Sequence, residues 1–379
     1  MAVTSAHANN KLVVYRKQIT REYIRENLFS PYMSTDLNAI IRIVNDLKNG
    51  GEQINVPLVA RLKGQAIATG ALAGNEESID NYGFRLWIDW ARNAIRINNA
   101  EEQKSSIDLW GEAKPLLSDW GKELQRDEIV DAFYALPGES APAALGTAYG
   151  QRVNGVLFDS ATAAQRNTWL TDNTDRMYFA GGALVAGNFA STMANITTAM
   201  AITAAMLNRA KRAAKKANPR IRPFKLTNGR EYFVVFVGQE PFRDLQADTT
   251  IINSNTNARA REGDAINKNP LFQDGDLLYN GLIIREIPEL SIRLPTFYAT
   301  AGAGGIRVMP SFLCGQSALA WCWGRMPVPT FLKEDDYQFA RGAGVKMAYG
   351  IGKIAKKNLS GNLKEWGIFT IFTYAVADT

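Results

Sequence analysis

The sequence predicts an α+β fold, with helices and strands grouped rather than alternating. Three observations carry this. Two alternating apolar runs separated by a glycine-rich stretch read as a β-hairpin. A long segment with apolar residues three and four apart reads as a helix. The second half of the chain carries short β-branched and apolar runs bounded by turn residues.

In order, residues 11–49 are mixed and aromatic. A short helical pattern through Ile40, Ile41, Ile43, Val44 and Leu47 closes at Lys48-Asn49-Gly50-Gly51, a chain breaker. The hairpin comes next. Ile54, Val56, Leu58, Ala60 and Leu62 alternate, and Pro57, which cannot donate to a ladder, marks an edge strand. The second run is Phe84, Leu86, Ile88 and Trp90; the tip between them is polar, with Gly64, Gly70, Gly74, Gly83, Glu76 and Glu77. Ten residues of strand reach about 33 Å. Such a hairpin is either an ordinary internal one with a long loop or an arm that lies on a neighbouring molecule.

Residues 101–136 predict a helix whose face is Trp110, Ala113, Leu117, Trp120 and Leu124. Pro115 should interrupt or restart it, and Pro137-Gly138 ends it. A small-residue stretch, 140–150, precedes a second helical pattern from Ser191 to Lys216 that ends at Asn218-Pro219. Strand patterns then occupy Tyr232–Val237, Leu282–Ile284 and Ile368–Ala375.

Composition narrows function. With 379 residues, 46% hydrophobic and 21% charged, there is ample material for a core and for two or three domains. No signal peptide is legible at the N-terminus. Val185–Asn208 carries no charge, but its asparagines, serines and threonines predict a packed helix rather than a membrane span. The single histidine, His7, lies in a polar N-terminal stretch, which argues against histidine-based triads and metal sites; carboxylate, lysine or tyrosine chemistry stays open. Cys314 and Cys322, eight apart, fit buried free thiols. No cofactor motif occurs: Ala301–Gly305 and Arg341–Gly344 read as turns, and Gly315-Gln316-Ser317 lacks the second glycine of a nucleophile elbow. Glu334-Asp335-Asp336 offers oxygen ligands for a cation but fits a solvated acidic turn better.

The net charge of +6 is concentrated. Arg209, Lys211, Arg212, Lys215, Lys216, Arg220, Arg222 and Lys225 lie in one stretch without an acid. The pattern fits contact with phosphate or an acidic partner surface. It equally fits a solvated helix end, where cations complement the dipole.

Taken in order, these stretches resemble the Hong Kong 97-type capsid fold of tailed double-stranded DNA phage major capsid proteins. ITREYIRENLFSPYM resembles the family's N-arm, the chain from INVPLV to AIRIN its extended E-loop, and RDEIVDAFYAL its spine helix in the peripheral P domain. GREYFVVFVGQEPFRDLQAD resembles a strand, turn and helix of the axial A domain, and NPLFQDGDLLYNGLIIREIPEL the family's segment that leads into a buried strand. CGQSALAWCWGR, KEDDYQFARGAGVKMAYGIGKI and WGIFTIFTYAVA resemble its C-terminal region.

The resemblance implies an N-arm over 1–50, an E-loop over 51–98 and a P domain with spine helix over 99–165. It implies a mainly A-domain segment over 166–340, with P-domain strands interleaved, and closing strands over 341–379. It implies a structural protein rather than an enzyme. Copies would form pentamers and hexamers of an icosahedral shell around the genome. Implied partners are itself, a separate scaffolding protein, a portal, a decoration protein and packaged DNA held without sequence preference, but no membrane. Its place would be the virion, after assembly in the host cytoplasm. Lys63 is the only lysine of the E-loop stretch, and nothing identifies a lysine–asparagine crosslink. The nearer alternative is an encapsulin-like cargo shell of the same fold; the more distant is a carboxylate- or metal-dependent enzyme.

Overall fold

The computed structural model describes residues 27–46, 50–59, 61–62, 64–105, 107–138, 141–142, 150–182, 184–225, 229–258, 276–332, 339–357 and 361–377. His7, most of the N-terminal arm stretch, Lys63, residues 143–149 and Glu334-Asp335-Asp336 lie outside the described residues.

Strands β1 (Met33–Ser34) and β2 (Ile41–Val44) precede the hairpin strands β3 (Gln53–Val59) and β4 (Asn81–Trp87). Strand β5 (Asp89–Asn98) comes at once, then α1 (Asn99–Lys104), α2 (Leu109–Tyr134) and α3 (Ala163–Asp172). Next are β6 (Met177–Phe179), α4 (Phe189–Met193), α5 (Ala204–Lys216), β7 (Phe224–Lys225) and β8 (Glu231–Val237). They lead to α6 (Gln239–Gln246), α7 (Thr249–Ala258), β9 (Asp276–Tyr279), β10 (Leu282–Glu286) and α8 (Pro288–Ile292). The last strands are β11 (Val308–Cys314), β12 (Leu319–Phe331), β13 (Ala340–Lys353), β14 (Ala355–Lys357), β15 (Leu363–Glu365) and β16 (Ile368–Tyr374).

One sheet has the order β1-β2-β12-β13-β5, and α2 packs on β13 and β5. A second has the order β6-β16-β11-β8-β10-β9, with β7 paired to β8. Its central strands are buried on both faces, so they read as continuous apolar runs. Alternation still decides which core each side chain enters. Val234, Phe236, Phe312, Cys314 and Phe372 join the end of α2, through Ile129, Val130 and Phe133. Phe233, Val235, Val237, Leu313 and Ile371 face α5 and α6, through Leu207, Ala210 and Leu245. Phe133 stacks on Phe312 at 5.2 Å between ring centres, an arrangement that adds to area burial. This central position explains why α2 is amphipathic at its start and buried nearly all round at its end.

Several sequence expectations need correction. Ile41–Val44 is a strand, not a helix: it pairs in parallel with β12, which supplies the ladder that a local pattern cannot reveal. The helix expected over Ser191–Lys216 is two helices, each with its own cap. Asn188 accepts from the Ser191 amide and Thr203 from the Met206 amide, and Ala201 between them bridges to Tyr374. Arg341–Gly344 is no turn but the start of β13, paired on both sides. Its glycines allow close strand approach: a Cβ on Gly344 would lie 3.0 Å from the Asn93 carbonyl oxygen. Pro115 lies inside α2, which continues through it; one backbone bond is lost in a helix of 26 residues.

The hairpin is real but shorter. Its strands pair from Gln53↔Trp87 to Val59↔Asn81, and Trp90 belongs to the next strand, in the first sheet. Both strands are edges, as Pro57 suggested.

Candidate interaction surfaces

The cationic run begins on α5. Ala204, Leu207, Ala210 and Ala214 recur on its buried face, which places Arg209, Arg212 and Lys216 on the exposed one. Two members have other partners: the Arg209 guanidinium sits 4.8 Å from the Tyr178 ring centre, and the Lys211 ammonium donates to the Asn280 carbonyl. Burial, and then the neighbouring Lys215 charge, lower the Lys211 pKa. Lys225 lies 3.9 Å from Glu231, and its backbone exchanges hydrogen bonds with the Asn38 side chain.

The remaining members turn elsewhere. Lys215, Arg220 and Arg222 line a cleft of about 620 Å³. Three further cations complete its wall: Arg61 at the hairpin end, Lys356 on β14 and Lys364 on β15. More than a hundred residues of chain separate these from the run, so no local charge count could join them. The eight cations are therefore not one patch but a helix face, a cleft and three locally engaged side chains, of which Arg209 lies on that face.

A second surface is apolar. At the hairpin base, Val56, Leu58, Phe84 and Leu86 are buried against Ala320, Cys322, Ile354 and Ala355 of the same chain. The base therefore behaves as an ordinary internal hairpin, packed on its own chain. Beyond Val59 and Asn81 pairing stops, and Leu62, Leu72 and Ile79 are exposed. The tip is therefore less polar than its glycines and acids suggested. Met326, Phe331 and Phe339, toward the far ends of β12 and β13, are also exposed.

Two buried ion pairs sit within the core. Lys353 and Glu365 meet at 2.8 Å, and the Trp169 indole donates to the same carboxylate at 2.9 Å. Glu128 receives Arg152 at 2.6 Å, on the face of α2 toward β13. Both cysteines are free and buried; burial pushes the Cys322 thiol up to about 12 and Cys314 well above the usual range. Neither offers a thiolate at neutral pH. Among the described residues, no group of three or more histidine, cysteine, aspartate or glutamate side chains is placed to hold a metal. No helix among them is long and apolar enough to cross a membrane.

A family model described as phage capsid protein matches residues 3–377. The structure is similar to a capsid chain of cyanophage Pam1, with a TM-score of 0.87, 31% identity and full coverage of both chains. It is also similar to the capsid of Ralstonia phage GP4, at TM-score 0.71 and 16% identity, again covering both chains fully. For the capsid of Helicobacter pylori bacteriophage KHP30 the values are 0.67 and 11%, over 98% of this chain and 99% of that one. A search of the curated proteins finds no match. The latter two likenesses speak for the fold alone, and they agree with a Hong Kong 97-type architecture.

Proposed function

Because the chain belongs to the phage capsid protein family and is a structural protein of the major capsid type, we propose that its copies close into an icosahedral shell of pentamers and hexamers around packaged double-stranded DNA. One observation carries the mechanism: the hairpin continues about twenty residues past the end of its own packing and exposes Leu62, Leu72 and Ile79 there. An exposed apolar tip on an anchored base is suited to a neighbouring copy. Residues 51–98 act as the E-loop, with 1–50 as the N-arm. Residues 99–165 form the P domain around α2, 166–340 mainly the A domain, and 341–379 the closing strands. Each contact is modest; closed symmetry multiplies them.

Assembly of this kind needs no catalytic step. The buried ionisable pairs Lys353–Glu365 and Glu128–Arg152 support that reading, since each group is engaged with its partner inside the core rather than offered to a ligand. A separate scaffolding protein, a portal and a decoration protein complete the partners. The protein takes its place in the virion after assembly in the host cytoplasm. The exposed cations contact either lumenal DNA or acidic patches on neighbouring copies.

Electron microscopy of the expressed protein, with scaffold where required, tests the reading: shells or capsomer rings are expected, and a strictly monomeric particle under all such conditions rejects it. A variant with Lys211, Arg212, Lys215 and Lys216 changed to Gln separates the roles of the cations. Normal empty shells with unstable packaged particles indicate DNA contact. Failure of empty shells indicates subunit contact, and no change in either indicates a solvated helix end.

A further inference from the structure

We propose that the cleft between the hairpin base, the turn after α5 and the β14–β15 pair is a binding site for a compact, multiply charged oxyanion of the phosphate class. The proposal rests on the contact reading of the cationic run and narrows it to three of its members.

Charge is the first ground. Six cations line the cleft against two carboxylates, Asp80 and Glu231. Asp80 is already engaged with Lys356, and Glu231 lies near Lys225 at the rim. Lys364 has Asp175 at 3.1 Å. Arg61, Lys215, Arg220 and Arg222 have no carboxylate within ion-pair distance among the described residues. Four uncompensated cations therefore face one cavity from two separate segments of chain, and Lys356 and Lys364 add a third. Val59, Ile221 and Trp366 share the lining, and such apolar walls strengthen the field that the cations create.

Rigidity is the second ground. The turn that presents Arg220 and Arg222 is held at nearly every residue. The Asn218 amide donates to Asp175 at 3.0 Å and the Ile221 amide to the Ala214 carbonyl at 3.2 Å; the Arg222 carbonyl accepts from the Gln316 amide at 2.8 Å. Arg176, fully buried, donates to the carbonyls of Pro219 and Trp366 and so ties two walls of the cleft together. A buried cation spent on two carbonyls is a costly way to fix a surface turn. Its effect is to hold the cleft open and shaped before any ligand arrives, which lowers the ordering cost of binding.

Ligand shape is the third. Guanidinium forks match phosphate oxygens in geometry, and convergent cations favour several charges on one small body. An acidic peptide spreads its charges at about 3.3–3.6 Å per residue and must also bring its backbone into the cavity. A DNA duplex is too wide to enter a 620 Å³ cleft and reaches only the rim. A di- or triphosphate, or a terminal or single-stranded phosphate, can enter.

Calorimetric titration of the full-length protein with pyrophosphate, in magnesium- and phosphate-free buffer, tests this. Saturable binding is expected, with affinity reduced about tenfold or more in the Arg220→Gln, Arg222→Gln double variant. Arg61→Gln, an exposed change on the opposite wall, should weaken it in the same direction. Arg212→Gln with Lys216→Gln, on the outer face of α5, should leave it unchanged. Displacement of pyrophosphate by a short single-stranded oligonucleotide would assign the site to nucleic-acid phosphate; its failure to displace would assign it to free polyphosphates. The proposal is overturned by absent binding in the wild type, by equal weakening in the outer-face control, or by a glutamate peptide that competes with pyrophosphate and binds more tightly. Shells seen by microscopy without pyrophosphate binding would reject this inference alone and leave the assembly reading standing.

Discussion

The two ends of the hairpin are built from similar residues and meet opposite surroundings. At its base, Phe84 and Leu86 are at most 1% exposed; at its tip, Leu72 and Ile79 are 71% and 66% exposed. The base has found its partners within the chain, and the tip has not. Energy stored in the base belongs to folding, while energy available at the tip belongs to association. A hydrophobic side chain therefore tells little about which of the two it serves until its own-chain neighbours are known.

The largest effect should come from removing the tip. Replacing residues 61–79 with an Asn-Gly turn keeps the paired strands and Asp80, and supplies a two-residue hairpin connection. The thermal midpoint of the isolated protein should stay near wild type while closed shells disappear from micrographs. Normal shells from this variant would remove the basis for assigning the tip to a neighbour. Phe84→Ala should act in the reverse sense. It empties a site lined by Val56, Cys322 and Ile354, and should cost about 3–5 kcal/mol in denaturant unfolding. A loss below about 1 kcal/mol would mean that the base is not held as tightly as its burial implies.

Between base and core stands Asn154. Its side chain accepts from the Trp87 amide and donates to the Trp87 carbonyl, each at 2.9 Å, while its own amide donates to the Ile351 carbonyl at 2.6 Å. One side chain thus fastens the end of β4 to β13. Asn154→Ala leaves two backbone groups of Trp87 without these partners and should cost about 1–3 kcal/mol. Hydrogen exchange should show faster exchange of the Trp87 amide than in the wild type. Unchanged protection there would show that Asn154 does not anchor the hairpin.

Legibility in the sequence divides along the same line between local and long-range partners. The hairpin, α2, β8, β10 and β16 were legible because each carries its pattern locally, as alternation, a helical stripe or a β-branched run. Strands β2 and β13 were not. Ile41–Val44 is four residues whose ladder comes from β12, and Gly342 and Gly344 look like a turn until the strands on both sides are present. The cationic run was legible as charge but not as a site. Arg61, Lys356 and Lys364 join it only through the fold, and Lys211 and Lys225 leave it by finding partners of their own.

The smallest predicted effect concerns acids on α2, which are not part of the hairpin. Burial raises the Glu128 pKa above its ordinary value of 4.5, against the opposing pull of Arg152. Burial likewise raises Asp131, against Arg293. In both, the folded chain keeps a proton that the unfolded chain has already released. Stability from these groups is therefore fully present below the unfolded pKa and is lost as pH rises through the folded one. Asp248 acts in the other direction, its pKa lowered by hydrogen bonds from the amides of Ala204 and Thr250 that outweigh its burial, but its contribution is lost only as pH falls below the ordinary value of 3.8. Just above 4.5 the α2 pair should dominate among these three, so lowering the pH toward 4.5 should raise the thermal midpoint of the unassembled protein. Glu128→Gln removes one titrating group and should flatten that rise, whatever it does to the midpoint at neutral pH through Arg152. Because the hairpin base does not include these groups, Phe84→Ala should shift the whole curve down without changing its slope. A midpoint that falls as the pH is lowered toward 4.5, or a slope insensitive to Glu128→Gln, would show that α2 carries its carboxylates ionised in the core.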